Sequence, residues 1–118
     1  MNRTYLLFAA AAVVAGLPST AARAANDIPT AERVEFVLEC MRANPGSRQE
    51  MLYKCSCTLD ELNRTLTHEQ FVDGSTAANA MSIGGERGAV LRESEGAKAM
   101  ATAYRGLLAK AKQACFLN

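Results

Sequence analysis

Four cysteines in a chain of 118 residues constrain this protein more than any other feature of its sequence. They are Cys40, Cys55, Cys57 and Cys115. An even number of cysteines in a small exported chain is typical of a disulfide framework, which adds stability that a small hydrophobic core lacks. We therefore predict two structural disulfides, and the cysteine count alone allows three pairings.

The N-terminal segment indicates that the chain is exported. Arg3 makes the first residues positive, residues 6–17 are apolar, and residues 22–24 match the small-x-small pattern of a cleavage site. We predict a signal peptide over residues 1–24 and a single helical domain over residues 25–118. The apolar run is shorter than the roughly 20 residues that cross a bilayer, so no membrane span is expected after cleavage. The predicted location is the periplasm or the exterior of the cell.

Hydrophobic spacing predicts an all-α fold, a small disulfide-stapled bundle of three to four helices. An antiparallel hairpin is expected over residues 30–66, turning at residues 44–46, where Pro and Gly interrupt the helical pattern. Thr30 is the expected N-cap of the first helix, and Ser47 with Glu50 is expected to form a capping box at the second. The apolar face of the first helix is expected to comprise Val34, Val37, Leu38 and Met41, and that of the second Leu52, Cys55, Leu59, Leu62 and Leu66.

The sequence pattern in the second half of the chain predicts one or two further helices. Thr67 and Gln70 have capping-box spacing, so a third helix is expected to begin there. Residues 82–88 contain three glycines and are predicted to be a loop. A C-terminal helix is expected over residues 95–116, with one continuous apolar face ending at Cys115.

Helix geometry narrows the three cysteine pairings to one. Cys55 and Cys57 are two residues apart, so their side chains point about 200° apart on a helix. Cys55 belongs to the apolar seam expected to face the first helix, where Cys40 lies about 6 Å away along the axis. We predict the disulfides Cys40–Cys55 and, by elimination, Cys57–Cys115.

Composition argues against several functions. The formal net charge of +1 lacks the basic excess of a nucleic-acid-binding protein, so no nucleic acid is expected as a partner. His68, the only histidine, is expected to be solvated in the first turn of a helix. No catalytic, cofactor-binding or metal-binding residue is predicted, and the protein is not expected to be an enzyme or to carry a cofactor.

The sequence favours a small exported, non-catalytic accessory or binding protein. Its rigid helical surface is expected to bind another periplasmic protein or a small ligand. Two alternatives use the sulfur chemistry instead. Cys55 and Cys57 could exchange disulfides as a redox pair, or the reduced thiols could bind Cu(I) together with Met41, Met51 or Met100.

Overall fold

The structure is a computed structural model, which describes residues 28–117. The predicted signal peptide and its cleavage site lie outside the described residues. Within residues 28–117 the chain forms five α-helices and no β-strand, which confirms the all-α class. The helices are α1 (Thr30–Ala43), α2 (Arg48–Thr65), α3 (His68–Ala80), α4 (Gly85–Glu93) and α5 (Glu95–Ala114). The predicted number of three to four helices is therefore wrong, because α4 forms in the region expected to begin as a loop.

The helices α1 and α2 form the predicted antiparallel hairpin. Cys40 is bonded to Cys55, and further from the turn Arg33 lies 3.5 Å from Asp60. Residue numbers therefore fall along α1 as they rise along the facing side of α2. At the turn, the Asn44 side-chain amide donates a 2.7 Å hydrogen bond to the carbonyl of Cys40. This carbonyl belongs to the last turn of α1, where helical hydrogen bonds run out.

The starts of these two helices differ from the expected caps. Thr30 is the first residue of α1 and not its N-cap, and no side chain caps that end. The predicted capping box at Ser47 is also wrong, because Ser47 makes no side-chain cap. The Glu50 carboxylate instead lies 2.7 Å from the Lys54 ammonium, one turn further along α2. This favourable i,i+4 ion pair competes for the carboxylate that a capping box needs.

The main hydrophobic core lies where α2, α3 and α5 meet. Its buried members are Ile28, Leu59, Leu62, Phe71, Tyr104 and Ala111. A second cluster surrounds the Cys40–Cys55 disulfide and includes Met51 and Leu117. Leu117, three residues after the end of α5, thus packs against the hairpin, and Ile28 packs in the main core, so both ends of the described chain lie in apolar surroundings.

Only part of the predicted apolar face of α1 is buried. Val37 packs against the core, whereas Val34 is 53% exposed and Leu38 is 61% exposed. The helix α1 packs along α2 and along no other described helix. A helix with one helical neighbour cannot cover both flanks of a broad apolar stripe. The apolar spacing thus predicts the helix correctly, but two of its four apolar residues, Val34 and Leu38, stay exposed.

The helices α3 and α5 approach each other closely at a glycine. A Cβ atom on Gly74 would lie 2.9 Å from Tyr104 Cβ, which is closer than two carbon atoms can pack. Glycine is therefore required here by the close approach. The start of α3 is as predicted, since Thr67 and Gln70 form both hydrogen bonds of a capping box.

The helix α4 begins inside the segment predicted to be a loop. Gly85 has a φ of +76°, a conformation that glycine adopts without steric cost, and it follows Gly84 at the turn. The Arg92 guanidinium on α4 donates hydrogen bonds back to the carbonyls of Ile83 and Gly85. These hydrogen bonds connect α4 to the turn that precedes it. The glycines of the segment do not by themselves reveal such a contact.

The C-terminal end of α5 places an aromatic side chain in a strained and exposed position. Phe116 has a φ of +54° and is 79% exposed. Its N–H donates to the Gln113 carbonyl while the Leu117 N–H donates to the Lys112 carbonyl, the two hydrogen bonds of a Schellman motif. Glycine usually occupies this left-handed position, because a Cβ atom there costs about 1 kcal/mol or more.

We expect Phe116→Gly to raise the free energy of unfolding by about 1 kcal/mol, because glycine relieves the left-handed strain. Urea denaturation followed by circular dichroism measures the change. Phe116→Ala is the control, since it removes the ring but keeps the Cβ atom, and it should leave stability nearly unchanged. A Phe116→Gly variant no more stable than Phe116→Ala would show that the turn is not strained.

Candidate ligand-binding cleft

A cleft of about 500 Å3 separates α1 from α3 and α5. Its volume lies within the range of about 300–1,000 Å3 that is usual for small-ligand sites. The cleft exists because α1 is held by α2 and does not close onto the other two helices. It is partly open to solvent.

The floor of the cleft is aromatic. Phe36 reaches across from α1 to Phe71 of α3, with ring centroids 6.0 Å apart, and Phe71 meets Tyr104 of α5 edge-on at 6.1 Å. Leu108 continues the apolar surface along α5. Such tilted and edge-on pairs are favourable for aromatic rings and hold them in fixed positions.

Burial changes the pKa of the one ionisable side chain in this floor. Desolvation raises the pKa of Tyr104 to about 12, because the phenolate form loses hydration in its apolar surroundings. The phenol is therefore neutral at any physiological pH and acts as part of the apolar floor.

The α1 wall of the cleft carries three carboxylates. Glu32, Glu35 and Glu39 all line the cleft, and their spacing of three and four residues places them on one side of the helix. Glu39 pairs with Arg42 at 2.9 Å on the exposed surface, whereas Glu35 forms no ion pair with any described residue. Sequence reasoning missed this group, although the i, i+3, i+7 spacing that reveals it is readable in the chain.

His68 joins α3 to α1 at one end of the cleft. Its Nε2 atom lies 2.9 Å and 3.1 Å from the two carboxylate oxygens of Glu32. The expectation of a solvated histidine is therefore wrong in part: both side chains keep a little over a third of their surface exposed, but they are paired. The contact spans 36 residues of sequence, so no local pattern predicts it.

The opposite wall combines polar and basic side chains. Ser75 and Asn79 line it from α3, and Arg105 and Lys112 line it from α5. The Arg105 guanidinium donates a 2.9 Å hydrogen bond to the Ala78 carbonyl near the end of α3. The cleft thus has an apolar floor between an acidic wall and a wall that can both donate and accept hydrogen bonds.

The cysteines form the two predicted disulfides. Cys40 is bonded to Cys55 and Cys57 to Cys115, each pair with Cα atoms 5.8 Å apart. All four sulfur atoms are therefore oxidised, and Cys55 is fully buried. Cys55 and Cys57 are thus bonded to different partners and not to each other, as a Cys55/Cys57 redox pair would be in its oxidised form. Binding of Cu(I) by the thiols requires the two bonds to be reduced first. Among residues 28–117 no three His, Cys, Asp or Glu side chains are grouped so that they could hold a metal ion.

Comparison with protein-family models, with curated proteins and with solved structures finds no match to this chain. Among the described helices, none is long and apolar enough to cross a membrane. The assignment of function therefore rests on the cleft and on the disulfides that hold its walls.

The raised pKa of Tyr104 predicts how stability depends on alkaline pH. Between pH 10 and pH 12 the phenol of the unfolded chain loses its proton before that of the folded protein, so rising pH favours unfolding. At pH 11 this should lower the free energy of unfolding by roughly 1 kcal/mol relative to pH 8, and Tyr104→Phe should abolish that part of the loss.

Urea denaturation at pH 8 and pH 11 measures this effect as the difference between the unaltered protein and Tyr104→Phe. Tyr53→Phe, which removes an exposed phenol instead, is the matched control. Equal alkaline losses in the unaltered protein and in Tyr104→Phe would contradict the burial of this phenol.

Proposed function

We propose that this chain is an exported, non-catalytic binding protein that holds its ligand in the cleft between α1 and the pair α3 and α5. The observation that carries the proposal is an open cleft of about 500 Å3 with an aromatic floor and charged walls. Ligand sites of this kind combine a mostly apolar lining with a few polar groups that orient the ligand.

The disulfides support a binding role because each joins one wall of the cleft to α2. Cys55 is bonded to Cys40 on the α1 wall, and Cys57 is bonded to Cys115 at the end of α5. A cleft whose walls are held in place loses little conformational entropy when a ligand enters, which favours affinity. The bonds thus serve the site as well as the stability of a small domain.

Export is supported by the disulfides and by the N-terminal signal pattern. Disulfides persist in oxidising compartments such as the bacterial periplasm and are rare in the cytosol. The apolar run over residues 6–17 and the small-x-small pattern at residues 22–24 provide the means of reaching such a compartment.

Export is tested by expressing the full chain with a C-terminal tag in a bacterial host. We expect the periplasmic fraction to contain a protein that begins at Ala25 or Asn26, as read by N-terminal sequencing, with no free thiol before reduction. A double variant, Ala24→Arg with Ala25→Arg, replaces the residue before each of the two possible cleavage points and should block the cleavage. Recovery of an uncleaved protein with reduced thiols in the cytoplasm would contradict the proposal.

Binding in the cleft is tested with N-phenyl-1-naphthylamine, a neutral dye that fluoresces in apolar surroundings. Asn79→Trp places a bulky ring in the cleft from an exposed position and should weaken dye binding at least about fivefold, about 1 kcal/mol. Thr76→Trp, on an exposed position of α3 that does not line the cleft, is the matched control and should leave binding unchanged.

The comparison of these two variants shows whether the dye binds in the cleft or elsewhere on the protein. Because the natural chain has no tryptophan, each variant also carries a single indole whose emission shows that it is folded and where the ring lies. Absence of dye binding, or equal binding to both variants, would contradict a ligand site in the cleft.

A further inference from the structure

We propose that the ligand of the cleft is an extended segment of another exported polypeptide, in which lysine or arginine side chains alternate with apolar ones. The inference rests on the proposed binding function and names the chemistry of the partner. It is carried by the charge of the α1 wall, by the apolar floor beside it and by the shape of the cleft.

The shape of the cleft suits a chain that lies along a groove. The cleft is lined from Glu32 in α1 to Asn44 at its C-cap, twelve residue steps, which correspond to about 18 Å at 1.5 Å per residue. An extended peptide of five or six residues has this length at about 3.3 Å per residue. An enclosed cavity would favour a small molecule, whereas this cleft is partly open to solvent and is lined along much of α1, which suits a longer chain.

The charge of the α1 wall selects basic side chains. Glu35 has no ion-pair partner among the described residues, so its carboxylate is available to a ligand. Glu39 pairs only with Arg42 of its own helix, and both side chains are about two-thirds or more exposed. Exposed pairs of this kind contribute little stability, so a ligand cation can replace Arg42 at small cost.

The rest of the lining fits the other parts of such a segment. Phe36 and Leu108, which are partly buried, offer apolar surface to its alternate side chains, and the buried Phe71 lies beneath Phe36. The amide of Asn79 can both donate to and accept from a peptide backbone. Arg105 on the opposite wall repels cations, so the basic side chains of the bound segment point toward α1.

The experiment measures the binding of three fluorescently labelled peptides to the oxidised mature protein by fluorescence anisotropy. The basic peptide is Gly-Lys-Leu-Lys-Phe-Lys-Gly, and its counterparts carry serine or glutamate in place of lysine. We expect the basic peptide to bind at least about fivefold more tightly than the serine peptide, because two exposed ion pairs of about 0.5 kcal/mol each add about 1 kcal/mol. The glutamate peptide should bind most weakly.

Charge-removing variants then show which carboxylates bind the basic peptide. The double variant Glu35→Gln with Glu39→Gln should weaken binding of the basic peptide about fivefold, about 1 kcal/mol for two exposed ion pairs, and leave binding of the serine peptide unchanged. The double variant Glu69→Gln with Glu93→Gln removes the same charge from exposed residues that do not line the cleft. It should leave the affinity of all three peptides unchanged, which separates local contact from net charge.

The possible results distinguish this inference from the proposed function. If Asn79→Trp blocks the neutral dye but the serine or glutamate peptide binds as tightly as the basic one, the inference is overturned and the binding function stands. The same holds if the two double variants weaken the basic peptide equally. If neither the dye nor any peptide binds, both proposals fail.

Discussion

The structure depends on two disulfides that share one helix. Cys55 and Cys57 are both on α2, two residues apart, so their side chains point in nearly opposite directions from the helix axis. Cys55 is bonded to α1, and Cys57 is bonded to Cys115, the residue that follows α5. The helix α2 is therefore the common support of the fold, and the positions of α1 and α5 relative to each other are set through it.

The cleft follows from this arrangement. The helix α1 packs along α2 alone among the described helices, and it reaches the rest of the molecule through side chains such as Phe36 and Glu32. The Cys40–Cys55 bond joins α1 to α2, and the cleft lies on the side of α1 that faces α3 and α5.

The two sides of α1 that do not face α2 have different chemistry. One carries the carboxylates that line the cleft, and the other carries Val34 and Leu38, which are more than half exposed. The Phe116 ring is exposed as well, on a left-handed residue whose conformation costs free energy. A small domain with a limited core thus leaves apolar surface in solvent at several places, and the disulfides offset the shortage of burial.

The sequence by itself determined the all-α class, the hairpin and both disulfide pairings. These follow from local rules: helical spacing of apolar residues, a Pro-Gly turn, and the divergence of Cys55 from Cys57 on one helix. The tertiary structure alone decided which face of α1 is buried, that α4 folds onto its own turn through Arg92, and that His68 meets Glu32. The physical reason is that these features depend on contacts between residues on different elements, or on a side chain that returns to an earlier turn. Periodicity within a single helix carries no information about such distances, so the cleft appears only once the helices are placed.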